Sequence, residues 1–223
     1  MLVTGFEPFG GAATNPSQEV VEYLQVKAAA PDWQLAVLPV SFAKAAAKIR
    51  ELIATSKPDI VLMLGLAGEA TKYRLESQAV NLAAARIPDN DGNQPNGVPV
   101  IISESVEQIR LGSWPVAKLF ECLSRAGHDV ELSADAGRYV CNATYYAALQ
   151  QAGSVAECGG EYQPKIGFLH IPAKRSLLET NDLISAIVEM LATAPDKRKQ
   201  KFIKSSYMVC LNDGDYDADR VQP

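Results

Sequence analysis

Thiol and imidazole chemistry has few possible carriers in this chain, which holds four cysteines and two histidines. Cys141 stands in Gly137-Arg138-Tyr139-Val140-Cys141-Asn142-Ala143-Thr144-Tyr145-Tyr146. An apolar step leads into it and a helix-like stretch follows. A cysteine in the first turn of a helix lies at the positive end of the macrodipole, which favours thiolate. The unbonded N–H groups of that turn can also receive an oxyanion. The pattern fits a nucleophile, and it also fits the commoner fate of cysteine, a small buried hydrophobe.

His170 closes the apolar run Ile166-Gly167-Phe168-Leu169-His170 and is followed by Ile171-Pro172. Sites in open α/β sheets gather at the carboxyl ends of strands, so this position suits a general base as well as a hydrogen-bonded core histidine. His128, in Ala126-Gly127-His128-Asp129, reads as a solvated turn residue. Cys122 falls on an amphipathic helix and reads as core, Cys158 falls in a Gly-containing loop, and Cys210 falls in the C-terminal tail. A Cys–His pair works better with a third group that orients the imidazole. Acids are numerous and the spacing chooses none of them. Glu76 interrupts the strand pattern Leu75-Glu76-Ser77-Gln78-Ala79-Val80, where a solvent-facing role is the plain alternative.

Gly5-Phe6-Glu7-Pro8-Phe9-Gly10-Gly11 brackets a proline with two aromatics. It lacks the Gly-Lys-Ser/Thr of a P-loop and is not GxGxxG. Such a stiff loop suits the wall of an apolar pocket or simple hydrophobic anchoring.

The elements that would position these groups follow from local signals. Met1 to Thr4 reads as a buried strand. Asn15-Pro16-Ser17-Gln18 reads as a helix start, with Asn15 as cap, Pro16 in the first turn and Gln18 completing a capping-box-like pattern. The helix is expected to reach about Ala29. Trp33 to Val40 alternates as a strand, and Ser41 caps a helix from Phe42 to about Thr55. Asp59 to Leu66, after Pro58, reads as a buried strand of the parallel type. Tyr73 to Ala83 reads as one strand, and Arg86 to Pro99 as loop. Helices are expected over Pro115 to Arg125, ended by Gly127, over Cys141 to Gln151 and over Asp182 to Leu191. Strands are expected over Val130 to Ser133 and Ile166 to His170. The patch Met208-Val209-Cys210-Leu211 takes no assignment. Strands alternating with helices predict an α/β fold: one domain over 1–223, a three-layer α/β/α sandwich around a mostly parallel twisted sheet.

Composition agrees with a globular protein: 48% of residues are apolar and 21% charged over 223 residues. A net charge of −5 argues against nucleic-acid or anionic-membrane partners. No run approaches the roughly 20 apolar residues of a membrane helix. The start MLVTGFEPFGG shows neither the basic nor the apolar region of a signal peptide. Cytoplasm is the expected compartment, where well-separated thiols stay reduced. Neither cysteine spacing nor histidine supply suits a zinc site.

Taken in order, four stretches resemble the pyroglutamyl peptidase type I (pyrrolidone-carboxylate peptidase) family. They are Gly5-Phe6-Glu7-Pro8-Phe9-Gly10-Gly11 with Asn15-Pro16-Ser17; Ala85-Arg86-Ile87-Pro88-Asp89-Asn90 with Gly92-Asn93-Gln94-Pro95; Tyr139-Val140-Cys141-Asn142; and Phe168-Leu169-His170-Ile171-Pro172. The resemblance runs from Leu2 to about Leu191. It implies a cysteine exopeptidase that hydrolyses the amide bond after an N-terminal pyroglutamyl residue through a thioester. It also implies a triad of Cys141, His170 and Glu76, and an α/β/α sandwich.

The same resemblance implies homotetramers, a cytoplasmic site, and neither metal nor cofactor. It places Phe6, Phe9, Asn15, Ile87, Tyr139 and Val140 around the pyroglutamyl ring, with Arg86 beside the nucleophile as oxyanion support. The chain departs from the family pattern at Leu66, where Gly65-Leu66-Ala67-Gly68 replaces Gly-Gln-Ala-Gly, at Tyr139 in place of Phe, and at Ala83-Ala84. Leu66 removes a polar pocket group. It is the reason to keep a non-catalytic or weakly active homologue that binds a small cyclic amide as the alternative.

Overall fold

The computed structural model describes residues 1–27, 32–157 and 162–193. Its core is a sheet of two-residue period, each strand sending alternate side chains to opposite faces. The strands are β1 (Leu2–Phe6), β2 (Gln34–Leu38), β3 (Ile60–Ala67), β4 (Tyr73–Glu76), β9 (Val130–Ser133) and β10 (Lys165–Pro172), in the order β2-β1-β3-β10-β4-β9. On β3, Val61 and Met63 join one apolar cluster while Leu62 and Leu64 join the other. Among the described residues five helices cover the sheet: α1 (Pro16–Val26), α2 (Phe42–Ser56), α3 (Val116–Arg125), α4 (Val140–Glu157) and α5 (Leu177–Thr193). Residues of α2 and α4 pack into the first cluster, and those of α1, α3 and α5 into the second. The result is the expected α/β/α sandwich.

All adjacent pairs in this sheet are parallel except β10 with β4, which is antiparallel. The carboxyl ends of β1, β3 and β10 therefore lie along one edge, the usual place for a site.

Several expectations need correction. The strand expected over Tyr73 to Ala83 breaks at Ser77, whose N–H donates to Ser133 O at 2.7 Å. The chain then leaves the main sheet. Gln78–Val80 forms β5 and pairs with β8 (Ile109–Leu111), and Ala83–Ala84 forms β6 and pairs with β7 (Asn96–Val98). The expected loop over Arg86 to Pro99 thus ends in a short strand, and β8 had no counterpart in the sequence reading. Both are two-stranded pairings outside the main sheet, too short to show a period.

Helix starts carry the other corrections. Asn15 does cap α1, its Oδ1 accepting from Ser17 N at 3.0 Å, and Pro16 lies in the first turn. Gln18 completes no capping box, since its Nε2 donates to Glu22 at 2.6 Å instead. Lys27 is the C-cap of α1, and the expected end at Ala29 lies outside the described residues. Helix α4 begins one residue earlier than expected and continues past Gln151 to Glu157. Helix α5 begins at Leu177 rather than Asp182. A capping box sets that start: Ser176 Oγ accepts from Glu179 N at 3.2 Å while Ser176 N donates to the Glu179 carboxylate at 3.1 Å. The patch 208–211 lies outside the described residues.

Candidate active site

The antiparallel junction of β10 and β4 brings an acid to a histidine. Glu76 stands opposite Phe168, and His170 opposite Arg74, so Glu76 and His170 are diagonal neighbours on one face. The reach is short for a glutamate: Glu76 Oε1 and His170 Nδ1 are 2.7 Å apart. Glu76 is fully buried and His170 is 6% exposed. A solvent-facing Glu76 is thereby excluded.

Cys141 arrives from above the same face. It lies in the first turn of α4, and the first backbone bond of that turn runs from Ala143 N to Tyr139 O at 3.2 Å. The N–H groups before Ala143 have no partner within the helix and point out of its end. Cys141 is half-buried, and its sulfur comes to the strand position beside His170, close enough to act on the imidazole, whose Nδ1 is already taken by Glu76. Burial opposes the imidazolium. Hydrogen bonds and charge from Cys141 and Glu76 outweigh that penalty and hold the His170 pKa at about 9, above the ordinary 6.5.

Gly65 makes room for this arrangement. It stands beside His170 in the parallel β3–β10 register. A Cβ there would lie 2.9 Å from Cys141 Sγ and 2.8 Å from Phe168 Cζ. The sequence reading gave Gly65 no role, although a glycine inside a strand is a known sign of close approach.

Beside the sulfur lies a small apolar hollow lined by Phe6, Phe9, Asn15, Val40, Leu66, Tyr139, Val140 and Cys141. The loop after β1 supplies one wall. Phe9 meets the Tyr139 ring at 5.6 Å, and Phe42 meets it edge-on at 5.5 Å. Tyr139 is tied down by its hydroxyl, which donates to Pro88 O at 3.0 Å. Buried Asp89 holds the neighbouring loop by accepting from the N–H groups of Phe42, Asp91 and Asn93. The Asn15 amide is largely committed: Oδ1 accepts from Ser17 N and Oγ, and Nδ2 donates to Glu7 O.

Of the pocket residues expected from sequence, Phe6, Phe9, Asn15, Tyr139 and Val140 meet here. Ile87 does not line the hollow; it is 42% exposed, with its Cδ1 about the loop glycine Gly10. Arg86 is exposed and also outside the lining. His128 is half-buried at the end of α3, and Cys122 is buried within that helix. Cys158 and Cys210 lie outside the described residues.

The chain matches a family model described as pyroglutamyl peptidase over residues 1–191. It is 38% identical over 173 residues to the pyrrolidone-carboxylate peptidase of Escherichia fergusonii, covering 77% of each chain. It is 36% identical to that of Bacillus amyloliquefaciens over 175 residues, again 77% of each. Among solved structures, the pyrrolidone carboxyl peptidase of Fervidobacterium islandicum superposes with a TM-score of 0.75 at 31% identity, covering 86% of this chain and 97% of that one. Pyroglutamyl peptidase I from Bacillus amyloliquefaciens gives 0.74 at 31% identity, with 86% and 94% covered. Sequence, fold and the geometry at Cys141 converge, and the chain belongs to the pyroglutamyl peptidase family.

Proposed function

We propose that the protein is a cysteine exopeptidase that removes N-terminal pyroglutamate from peptides. The observation that carries this reading is the chain of contacts from Glu76 through His170 to Cys141, placed against an apolar hollow. The neutral lactam ring occupies the hollow, with Phe6, Phe9, Tyr139 and Val140 as its walls, Asn15 at its polar corner and Ile87 near its rim. The Cys141 thiolate attacks the carbonyl of the bond to residue two. His170 protonates the departing amine, then takes a proton from the water that attacks the thioester. Glu76 keeps the ring oriented and supports its positive charge. First-turn N–H groups of α4, assisted by Arg86, receive the oxyanion. No metal or cofactor enters the scheme.

Among the described residues no helix is long and apolar enough to cross a membrane. We place the enzyme in the cytoplasm, where a reactive thiol stays reduced, and propose that it works as a homotetramer. Exposed apolar side chains at Ile102, Ile109, Leu111 and Leu132 support association with further copies.

Turnover of a chromogenic pyroglutamyl amide, with a prolyl amide as comparison, tests the function. Hydrolysis of the first only is the expected result. Binding of free pyroglutamate without turnover would instead establish the non-catalytic alternative.

A further inference from the structure

Cys141 and Glu76 come from a helix and a strand that share no ladder, so their separation must be set by side chains. Two residues of α4 span the gap. Asn142 is fully buried. Its Oδ1 accepts from Val80 N at 2.9 Å, and its Nδ2 donates to Val80 O at 2.9 Å and Leu82 O at 3.0 Å. Tyr145 lies three residues further on, hence on the same helix face. Its hydroxyl donates to the backbone oxygen of Glu76 at 3.2 Å. One face of the helix that carries the nucleophile is thus bonded along residues 76–82, the segment that begins with the acid.

The need for such bonds is visible in that segment. The chain leaves the main sheet at Ser77, so beyond Glu76 it loses the β4 ladder. Glu76 Oε2 is buried and has no hydrogen-bond partner among the described residues, so the carboxylate is held through Oε1 and its own backbone. Gly112 leaves space for the Tyr145 hydroxyl, since a Cβ there would lie 2.1 Å from it. Burial, with the Glu76 charge added, pushes the Tyr145 pKa up, and the hydroxyl remains a donor.

We propose that Asn142 and Tyr145 are positioning residues that together set where Cys141 stands relative to the His170–Glu76 pair. The proposal rests on the cysteine-peptidase reading above and adds to it the device that assembles the site. Neither residue is assigned contact with substrate.

The test uses Asn142→Ala and Tyr145→Phe in the full chain. Three quantities are read: kcat and KM on a pyroglutamyl amide, the rate of Cys141 alkylation by iodoacetamide at neutral pH, and the His170 titration by NMR. Misplacement of a reacting group by about 1 Å costs on the order of 10²-fold in rate, and Asn142→Ala is expected to lower kcat by about that much with far less change in KM. Tyr145→Phe moves kcat the same way by less. Both variants slow Cys141 alkylation, and in both the His170 titration falls from about 9 toward 6.5.

A merely structural role lowers the melting temperature but leaves kcat, alkylation and the titration of the folded protein where they were; that result overturns the proposal. If Asn142→Ala does not fold, Tyr145→Phe decides alone, since it removes a single oxygen. A wild-type protein inert toward the pyroglutamyl amide would refute the function. Alkylation and the His170 titration would still decide the positioning.

Discussion

Glu76 and His170 meet diagonally across two antiparallel strands, with Phe168 directly opposite Glu76 and the carboxylate reaching past it to Nδ1 at 2.7 Å. The Phe168 ring packs 4.7 Å from the imidazole, centroid to centroid. The acid and the aromatic ring thus restrict His170 from two sides.

The raised His170 pKa has a consequence for pH dependence. Below about 9 the ring keeps the proton that, in the proposed mechanism, goes to the leaving amine; above that value the proton is lost. The kcat/KM profile is therefore expected to fall on its alkaline side near pH 9. Glu76→Gln removes one of the interactions that raise this pKa, so the alkaline limb moves to lower pH. The same variant lowers kcat by roughly 10²-fold with little change in KM, as expected for support given mainly in the transition state. An unmoved limb would contradict the role of Glu76.

Cys141→Ala is expected to abolish turnover, and His170→Ala to lower kcat by about 10²-fold or more. Cys122, buried in α3, and His128, half-buried just past its end, provide the internal controls. Cys122→Ala should cost about 1 kcal/mol of stability, a typical value for a point change, while activity persists. His128→Ala should stay near wild type. Iodoacetamide labelling followed by peptide mass analysis should find Cys141 modified first.

Gly65→Ala places a methyl group against Cys141 Sγ and the Phe168 ring at contacts below 3 Å. Neither neighbour is the far end of a long flexible side chain. Overpacking of this kind costs about 1–3 kcal/mol, and thermal melting should show it. Because one neighbour is the nucleophile itself, kcat should fall as well. A stable variant with full activity would mean that Cys141 has more freedom than the packing allows.

The aromatic loop should matter more to substrate than the missing amide at position 66. Phe9→Ala removes part of the hollow's wall, and full burial of such a side chain is worth about 1.5–3 kcal/mol. Phe9 is only half-buried, so a loss of about tenfold in kcat/KM, the lower end of that range, is expected. Leu66→Gln adds at most one neutral hydrogen bond, about 0.5–1.5 kcal/mol, and should change kcat/KM by about tenfold or less. A gain of a hundredfold or more would revive the reading of a weakly active binding protein.

Much of the site was legible because its signals are local. The helix start at Cys141, the apolar strand that carries His170 and the Asn15 cap each announce themselves within a few residues, through propensity and hydrogen-bond supply, although the strand runs on to Pro172. The stretch Tyr73 to Ala83 is not one strand, for the complementary reason. Its alternation is continuous, but the break at Ser77 depends on the bond to Ser133, 56 residues away. The early start of α5 is written locally as Ser176-Leu177-Leu178-Glu179, the Ser-x-x-Glu pattern of a capping box.

The residue types at each position determined which chemistry was available: one cysteine at a helix start, one histidine near the carboxyl end of a strand, and an apolar loop to face a neutral ring. Local pattern chose no acid; that Glu76 lies against His170, 94 residues away, is decided by strand order in the tertiary structure. It also decided that Gly65 must lack a side chain and that Arg86 and Ile87 stay outside the hollow. Periodicity reports which face of an element is buried, whereas strand order and loop packing depend on non-local contacts that no short window of sequence contains.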